Sequence, residues 1–525
     1  MKVSLNSKQY LAAGVLSAAI FAAAVGIWAH RTHPFDAYIK RKAESVMRDR
    51  FQSDLQLASL NVSVLPRLRI EGTGLTLRYR GRTDVLPLMA VRKFSLDLSW
   101  KGELFLDAKW LGLSKGPPHF HILRLEGLQI NIPPREKSHE QKPPVRTNFI
   151  IDEIRSSNAE LDILRKDNKP TLTFLLHQLD MANFQPEKPA EFYAALTNPR
   201  PVGEIQTHGQ FGPWDGDEPS QTHVKGTYIF SRADLATFKG ISGFLSSQGM
   251  FNGILDYIQV QGKTQTPDFA LTLTKHSVPL NTEFNAIVDG VNGNTILNYV
   301  DVQLLNSSLL CRGQVAKMPG DPGRMIVLDV TAENARIEDL LRLVVKSEKP
   351  IMTGNVSLHT KFALPSHKAD EQDITNRLRL NGRFGLASVR FTKNTVQQKI
   401  NALSRRGRGK PNVTDDETAI SSLQGNFTLR NGVAKFSKLT FGVSGAKVLL
   451  DGTYGLNAGD LNFRGSLRLQ AKLSQTTKGV KSLFLKMLDP LFSSKDAGTV
   501  LPIKITGTRE KPLFKVEIGR VFAKK

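Results

Sequence analysis

The sequence predicts a mainly β protein, built of antiparallel strands with a few amphipathic helices and one N-terminal transmembrane helix. Three observations predict this class. Beyond residue 55, apolar and polar residues alternate with a period of two, which is typical of half-buried strands. Glycine preceded by Asn or Asp recurs between these segments, as in tight hairpin turns. An uncharged apolar run from Leu11 to Ala29 precedes all of them.

The apolar run reads LAAGVLSAAIFAAAVGIWA. As a helix it rises about 1.5 Å per residue and so nearly matches a hydrocarbon core of about 30 Å. Tyr10 and Trp28 lie at its ends, where amphipathic rings favour the membrane interface. We therefore predict a transmembrane helix over 10–29, after a cytoplasmic segment 1–9; cleavage at AAAVG, as in a signal peptide, is the alternative. Its anchoring residues are Leu11, Val15, Leu16, Ile20, Phe21, Val25, Ile27 and Trp28.

The charges beside this run leave its orientation open. Lys2 and Lys8 precede it, whereas Arg31 and the run 40–42 follow it. This local excess of positive charge would place the body in the cytoplasm, although the rule weakens when a large domain follows. Residues 35–51 then form an amphipathic helical pattern, suited either to lying on phospholipid or to packing against the first sheet.

The period-two segments give three clear apolar strand faces. One carries Phe94, Leu96 and Leu98; another carries Phe269, Leu271 and Leu273; a third carries Leu467, Leu469 and Leu473. Dipeptides that tolerate positive φ predict the turns between strands. They are Asn292-Gly293, Asn381-Gly382, Asn431-Gly432 and Asp451-Gly452.

Four segments instead show one apolar stripe at a spacing near 3.6 residues, which predicts helices over 234–246, 334–345, 395–403 and 477–488. Packing on a sheet edge is the first interpretation of these helices, and binding a partner is the second. The tract Arg405, Arg406, Arg408 and Lys410 is short and contains glycine, so we expect a mobile loop there.

The charge balance is basic, with 71 Lys and Arg against 48 Asp and Glu, a net charge of +23. Such a surface attracts polyanions, either an anionic membrane face or nucleic acid, and a solvated basic face without a partner is the plain alternative. No nucleic-acid-binding signature accompanies the charge, so we expect no nucleic-acid partner. The single cysteine, Cys311, excludes an intramolecular disulfide.

Motifs for catalysis or metal binding are weak. The string GLSKG around Ser114 matches a nucleophile elbow, but Pro117 and Pro118 follow where a helix is needed. His119 and His121 would place two imidazoles on one strand face, and a metal site needs further ligands. A cluster of acids at Asp215, Asp217 and Glu218 fits no known calcium loop. We predict no enzyme activity, no cofactor and no metal.

Four stretches resemble the AsmA-like family of bacterial envelope proteins, which is related to the TamB group. They are LNGRFGLASVRFTKNTVQQKINALSRRGRG (380–409), LQGNFTLRNGVAKFSKLTFGVSGAKVLLDGTYGLNAGDLNFRGSLRL (423–469), VLPIKITGTREKPLFKV (500–516) and, after the apolar run, LASLNVSVLPRLRIEGTGLTL (57–77). The resemblance implies a chorein-like N-terminal region over 30–135, a middle region over 136–370 and an AsmA-like C-terminal region over 371–525.

The resemblance implies a long curved antiparallel sheet that forms an elongated hydrophobic groove, described as β-taco-like. It implies a single-pass inner-membrane protein whose body lies in the periplasm and conducts phospholipids toward the outer membrane, supporting envelope integrity. The implied partners are phospholipids, the inner membrane and outer-membrane or periplasmic proteins. Candidate lining residues are Phe94, Leu96, Leu98, Phe269, Leu271, Leu273, Leu467, Leu469 and Leu473.

Two other function classes remain open at this point. A scaffold or assembly factor for outer-membrane proteins would use exposed strand edges to receive client strands. A hydrolase would use Ser114 as its nucleophile. Only the first of these has support from the predicted strand content.

Overall fold

The computed structural model describes residues 53–63, 69–79, 89–98, 119–132, 150–163, 172–185, 187–213, 221–238, 240–272, 274–289, 293–317, 323–366, 374–412, 418–476 and 498–517, with Glu44, Thr83, Leu86 and Pro87. The fold is mainly β, as predicted. The chain divides into two compact units, and the strand segments 257–271, 278–288 and 295–304 each contribute residues to both. The predicted transmembrane helix and its anchoring residues lie outside the described residues.

The first unit contains eleven of the strands, each pairing mainly with its neighbours along the chain. Among the described residues, the strand pairs within it are antiparallel except for β5 and β6, which run parallel. The sequence predicts antiparallel strands throughout, and this prediction is wrong for the pair of β5 and β6. The strands are β1 Ser53–Gln56, β2 Ser59–Ser63, β3 Arg69–Tyr79, β4 Met89–Leu98, β5 His119–Ile132, β6 Ile150–Ile163, β7 Leu172–Phe184, β8 Ala190–Pro199, β9 Val202–Phe211, β10 His223–Asp234 and β12 Phe244–Ile254.

The second unit continues with antiparallel strands and contains three α-helices among its described residues. From β16 to β25, every strand pairs with the next one along the chain. The elements from β11 onward, in chain order, are β11 Ile241–Ser242, β13 Tyr257–Leu271, β14 Val278–Val288, β15 Thr295–Leu304, β16 Ser307–Lys317, β17 Arg324–Arg336, α1 Ile337–Val344, β18 Met352–Leu364, α2 Ile374–Arg377, β19 Arg379–Phe391, α3 Asn394–Gly407, β20 Ser421–Arg430, β21 Val433–Val443, β22 Ala446–Gly455, β23 Asp460–Leu469, β24 Thr499–Thr508 and β25 Pro512–Val516.

Two of the four predicted helices are confirmed, as α1 and α3. The helix predicted over 234–246 is wrong: a 3-10 helix occupies Leu235–Thr237, and β11 and β12 follow. Pairing decides this, because the start of β12 extends the antiparallel ladder with β10, with Phe244 opposite Asp234. The segment 477–488 lies outside the described residues. The predicted loop at Arg405 and Arg406 is also wrong, since both belong to α3.

The Asn-Gly and Asp-Gly dipeptides separate into two kinds. Asn431 and Gly432, with φ of 50° and 71°, form the two-residue turn between β20 and β21, as predicted. Asn381-Gly382 and Asp451-Gly452 lie inside strands, so the turns predicted there are wrong. At Gly452 the reason is space: a Cβ would lie 2.3 Å from the backbone oxygen of Asn462. Gly293 (φ 74°) lies between β14 and β15, whereas Asn292 is outside the described residues.

The hydrophobic core of the first unit is formed by side chains from β1 to β8, and these side chains are buried from solvent. Alternate residues of β3 and β4 supply it, including Leu75 and Leu77, as the period-two pattern predicts. Ile70, Leu96 and Ile151 are 1%, 0% and 0% exposed. The second unit has a smaller buried cluster, centred on Ala335, Val356 and Leu386.

Candidate functional site

On one side of the second unit's sheet, apolar side chains of strands β18 to β24 line up in rows. We call this side the apolar face. Cross-strand register defines the rows, because residues directly opposite each other share a face. The central row runs Gly382, Phe427, Phe436, Gly452, Phe463, Ile505. The rows on either side run Leu380, Leu429, Ala434, Tyr454, Leu461 and Leu386, Leu423, Phe441, Val448, Leu467, Leu501.

Most side chains of the apolar face are half-buried rather than buried. Phe427, Phe436, Phe441 and Leu450 all keep partial access to solvent. Phe463, at 8% exposed, is one of the few fully buried members. The face therefore differs from the first unit's core, where comparable side chains are sealed. Partly exposed apolar rows of this kind are candidates for contact with an apolar ligand or partner.

Four phenylalanine rings form a connected group on this face. Phe384 lies 6.0 Å from Phe427 and 6.4 Å from Phe436, and Phe436 lies 6.0 Å from Phe463, measured between ring centroids. Such tilted and edge-on pairs add about 0.5–1.5 kcal/mol each beyond the area they bury. The group thus binds β19 to β23 together through side chains as well as backbone hydrogen bonds.

Hydrogen bonds from polar side chains hold helix α3 at one end of these strands. Gln397 accepts a hydrogen bond from the Phe391 N–H (2.8 Å) and donates one to the Ala419 carbonyl (2.9 Å). The Ser404 hydroxyl donates to the Ser444 carbonyl (2.8 Å). These contacts fix the helix at the strand ends, consistent with the predicted packing on a sheet edge.

The opposite side of the same strands is polar and basic. A row across four strands runs Asp451, Arg464, Lys504 and Lys515. Lys447 lies opposite Arg468 in the neighbouring row. Alternation along each strand therefore separates an apolar side from a cationic side, and part of the net positive charge maps to the latter.

The predicted lining residues fall in different environments. Phe94 and Leu96 are buried in the first unit's core, and Leu467 and Leu469 lie on the apolar face. Phe269 and Leu271 are half-buried on either side of the buried Ala270 in β13. Leu98 ends β4 and Leu473 begins a 3-10 helix, but their side chains are outside the described residues, as is Leu273 altogether. The lining role of all nine stays a prediction.

The phenylalanine group itself was not predicted from the sequence. One signal for it was present: Phe427 and Phe436 lie symmetrically about the Asn431-Gly432 turn. A two-residue hairpin places such residues directly opposite each other, as observed. The contacts of Phe384 and Phe463 depend on register in other strand pairs, which no tight turn of this kind sets.

The histidine pair meets an acid that the sequence did not predict. His119 Nε2 lies 2.6 Å from Asp152 Oδ1, and His121 Nδ1 lies 3.2 Å from Oδ2 of the same carboxylate. Burial raises the pKa of Asp152, but hydrogen bonds from the two histidines outweigh it and hold that pKa below its usual value. Within the described ranges, no group of three or more His, Cys, Asp or Glu side chains is arranged to hold a metal ion.

Of the other reactive candidates, the structure describes only Cys311. Ser114, Asp215, Asp217 and Glu218 lie outside the described residues. Cys311 is half-buried, and burial together with the nearby Asp301 raises the pKa of its thiol. A thiol with a raised pKa is a poor nucleophile at neutral pH.

Comparison of the chain with protein-family models, curated proteins and solved structures finds no match. The resemblance to the AsmA-like family therefore stays a prediction. Among the described residues, no helix has the length and apolar character that crossing a membrane requires.

Proposed function

We propose that this protein is a non-enzymatic phospholipid carrier whose apolar face holds acyl chains. In the proposal, the run at 10–29 anchors the chain in the inner membrane, the body lies in the periplasm, and phospholipid moves along a hydrophobic groove toward the outer membrane. The single observation that carries it is the apolar face of the second unit: rows of Leu, Val and Phe that are only half-buried.

The energetics of such a face suit a carrier. Burying one methylene group gives about 0.8 kcal/mol, so a dozen methylenes of one acyl chain give about 10 kcal/mol as an upper figure. Repeated rows offer this contact at each position without a specific pocket. A lipid can then shift from row to row while keeping most of its contacts, as a conduit requires.

Neighbouring leucines in β22 provide a matched test. Leu450 lies on the apolar face, opposite Leu439 and Gly465. Leu449 lies on the polar side, opposite Thr440 and Ser466. Both are half-buried. The full-length chain and the variants Leu450→Asp and Leu449→Asp are purified, extracted with organic solvent and analysed by lipid mass spectrometry.

The proposal predicts phospholipid in the parent chain, a marked loss in Leu450→Asp and retention in Leu449→Asp. Circular dichroism confirms that both variants keep their strand content. Parent protein free of phospholipid, or equal lipid in the two variants, would contradict the proposal. Protease accessibility in spheroplasts separately tests whether the body lies outside the cytoplasm.

A second function, the scaffold for outer-membrane proteins, is favoured by strand β25. This strand pairs with β24, and among the described residues no other strand makes comparable contact with it. Leu513 and Phe514 are 55% and 72% exposed. Exposed strand edges can receive a strand from another protein. Crosslinks from β25 to barrel precursors, in protein free of lipid, would select this function over the carrier.

A further inference from the structure

The polar side of the second unit contains a cavity that the carrier function does not use. Its volume is about 510 Å³, and it lies over strands β17 to β21. Register places Thr331, His359, Arg383 and Asn426 in one row along it. These four side chains lie on the side of the sheet opposite the phenylalanine group, although Phe384 of that group is also among the residues that line the cavity.

The floor of this cavity lies at a strand position occupied by glycine, where no side chain fills the space. In the next row, Gly385 lies between Ser357 and Gln424. The nearest atom to a Cβ added at Gly385 would be Ser357 Oγ, at 2.9 Å. A larger residue would therefore project into space that the cavity now occupies, whereas its neighbours on both sides supply polar walls.

Two basic side chains, Arg383 and Lys438, line the cavity. No hydrogen bond or ion pair from within the described residues reaches the guanidinium of Arg383 or the ammonium of Lys438. The backbone of Lys438 is held in a bulge of β21, with φ of 53° and its N–H donating to Asp451 Oδ1 (2.9 Å). Glu333 is the one acid among the lining residues.

Further hydrogen-bonding groups complete the lining. The amides of Gln424 and Asn426 face the cavity and have no side-chain partner among the described residues. His359 contacts Thr331 Oγ1 (3.2 Å) and Asp329 Oδ1 (3.5 Å) through Nδ1. Two unpaired cations with neighbouring amides match the needs of a phosphate group, since guanidinium binds phosphate oxygens in pairs.

We propose that this cavity binds the phosphate group of a small organic phosphate. Its volume is in the usual range for small-molecule sites, about 300–1,000 Å³, and exceeds what one inorganic phosphate fills. The phosphate ester of a soluble metabolite and the phosphate of a lipid headgroup share this chemistry. The proposal is independent of the carrier function, because it concerns the other side of the sheet.

The test uses the full-length chain in a non-ionic amphipol, titrated with sn-glycerol 3-phosphate by calorimetry, with glycerol as the uncharged control. A second arm measures flotation with phosphatidylcholine vesicles that contain or lack phosphatidylglycerol. The variants are Gly385→Val, which fills the cavity, and Arg383→Gln, which removes its unpaired charge. Gly442→Val is the matched control, since its Cβ would also lie beside a serine hydroxyl, Ser422 Oγ at 3.0 Å, outside the cavity.

We expect saturable binding of glycerol 3-phosphate that Gly385→Val abolishes and Gly442→Val leaves unchanged. Arg383→Gln should weaken it about tenfold to a hundredfold, the usual effect of losing a charged hydrogen bond. Flotation that depends on phosphatidylglycerol and is lost in the same variants, without binding of the soluble probe, assigns the phosphate to a lipid headgroup.

Two results would overturn the proposal. One is no binding in either arm. The other is binding that is as strong in the Gly385→Val and Arg383→Gln variants as in the Gly442→Val variant. If Gly385→Val fails to fold, Arg383→Gln alone decides, because Arg383 is exposed and its substitution disturbs no packing.

Discussion

Replacing Phe436 with leucine tests whether the phenylalanine group stabilises the apolar face. The change keeps an apolar side chain but removes the ring that contacts both Phe384 and Phe463. Two aromatic contacts at about 0.5–1.5 kcal/mol each give a loss of about 1–3 kcal/mol. That loss corresponds to about a 5- to 150-fold rise in the local opening equilibrium.

Native-state hydrogen exchange of β21 to β23, followed by mass spectrometry, measures that opening directly. A local measurement is needed because a chain of two compact units need not unfold in one step. Phe441→Leu is the matched control: Phe441 is in the same strand and on the same face, but lies opposite Leu423 and Val448. If both substitutions accelerate exchange equally, the ring contacts contribute nothing specific and the reasoning fails.

Three further outcomes follow from particular contacts. Asp97 is 4% exposed; burial raises its pKa, but hydrogen bonds from Arg124 and Arg69 outweigh this and lower it. The Asp97 carboxylate should therefore contribute its full stabilisation above about pH 3.9, the ordinary pKa of an aspartate side chain. That stabilisation should be lost as the pH falls through the lowered pKa of Asp97. Asp97→Asn should thus destabilise at pH 7 and converge with the parent in acid unfolding; a constant difference would refute this. Gly452→Ala, with its Cβ 2.3 Å from a backbone oxygen, should speed hydrogen exchange in β22, whereas Gly442→Ala should not speed exchange in β21, and equal effects of the two substitutions would argue against the close approach. Ser307 is 0% exposed, its hydroxyl donates to Asp339 (2.8 Å) and accepts from the Arg336 N–H (2.8 Å), so Ser307→Ala should cost about 1–3 kcal/mol in local opening at the start of α1; unchanged hydrogen exchange there would contradict it.

Period-two alternation predicted the strands and their faces well where one side is covered. Leu75 and Leu77 are buried together, and Leu467 and Leu469 share the apolar face. The stripes of α1 and α3 were also recognisable. In these elements the local pattern and the tertiary contacts favour the same structure.

Prediction failed where pairing with a distant strand decides the local structure. The apolar spacing in 234–246 suits a helix, but hydrogen bonding to β13 makes 241–242 a strand, and hydrogen bonding to β10 does the same from Phe244 onward. The glycines of Asn381-Gly382 and Asp451-Gly452 resemble turn glycines, yet the adjacent backbone requires them inside strands.

The candidate sites depend still more on register. Arg383 and Asn426 lie far apart in sequence from Thr331, and only the pairing of four strands aligns them. The same holds for Phe384 and Phe463 on the apolar face. The sequence composition shows an excess of basic residues and many phenylalanines, but it does not indicate which of them become neighbours in the fold.

Photo-crosslinking from within β22 tests whether the apolar face holds acyl chains in the cell. Benzoylphenylalanine is placed at position 450 or at position 449, and growing cells are irradiated before the protein is purified. Phospholipid adducts at 450 and none at 449 are the result we predict, because only the first position lies on the apolar face. Adducts at neither position, or equally at both, would contradict the claim that this face holds acyl chains.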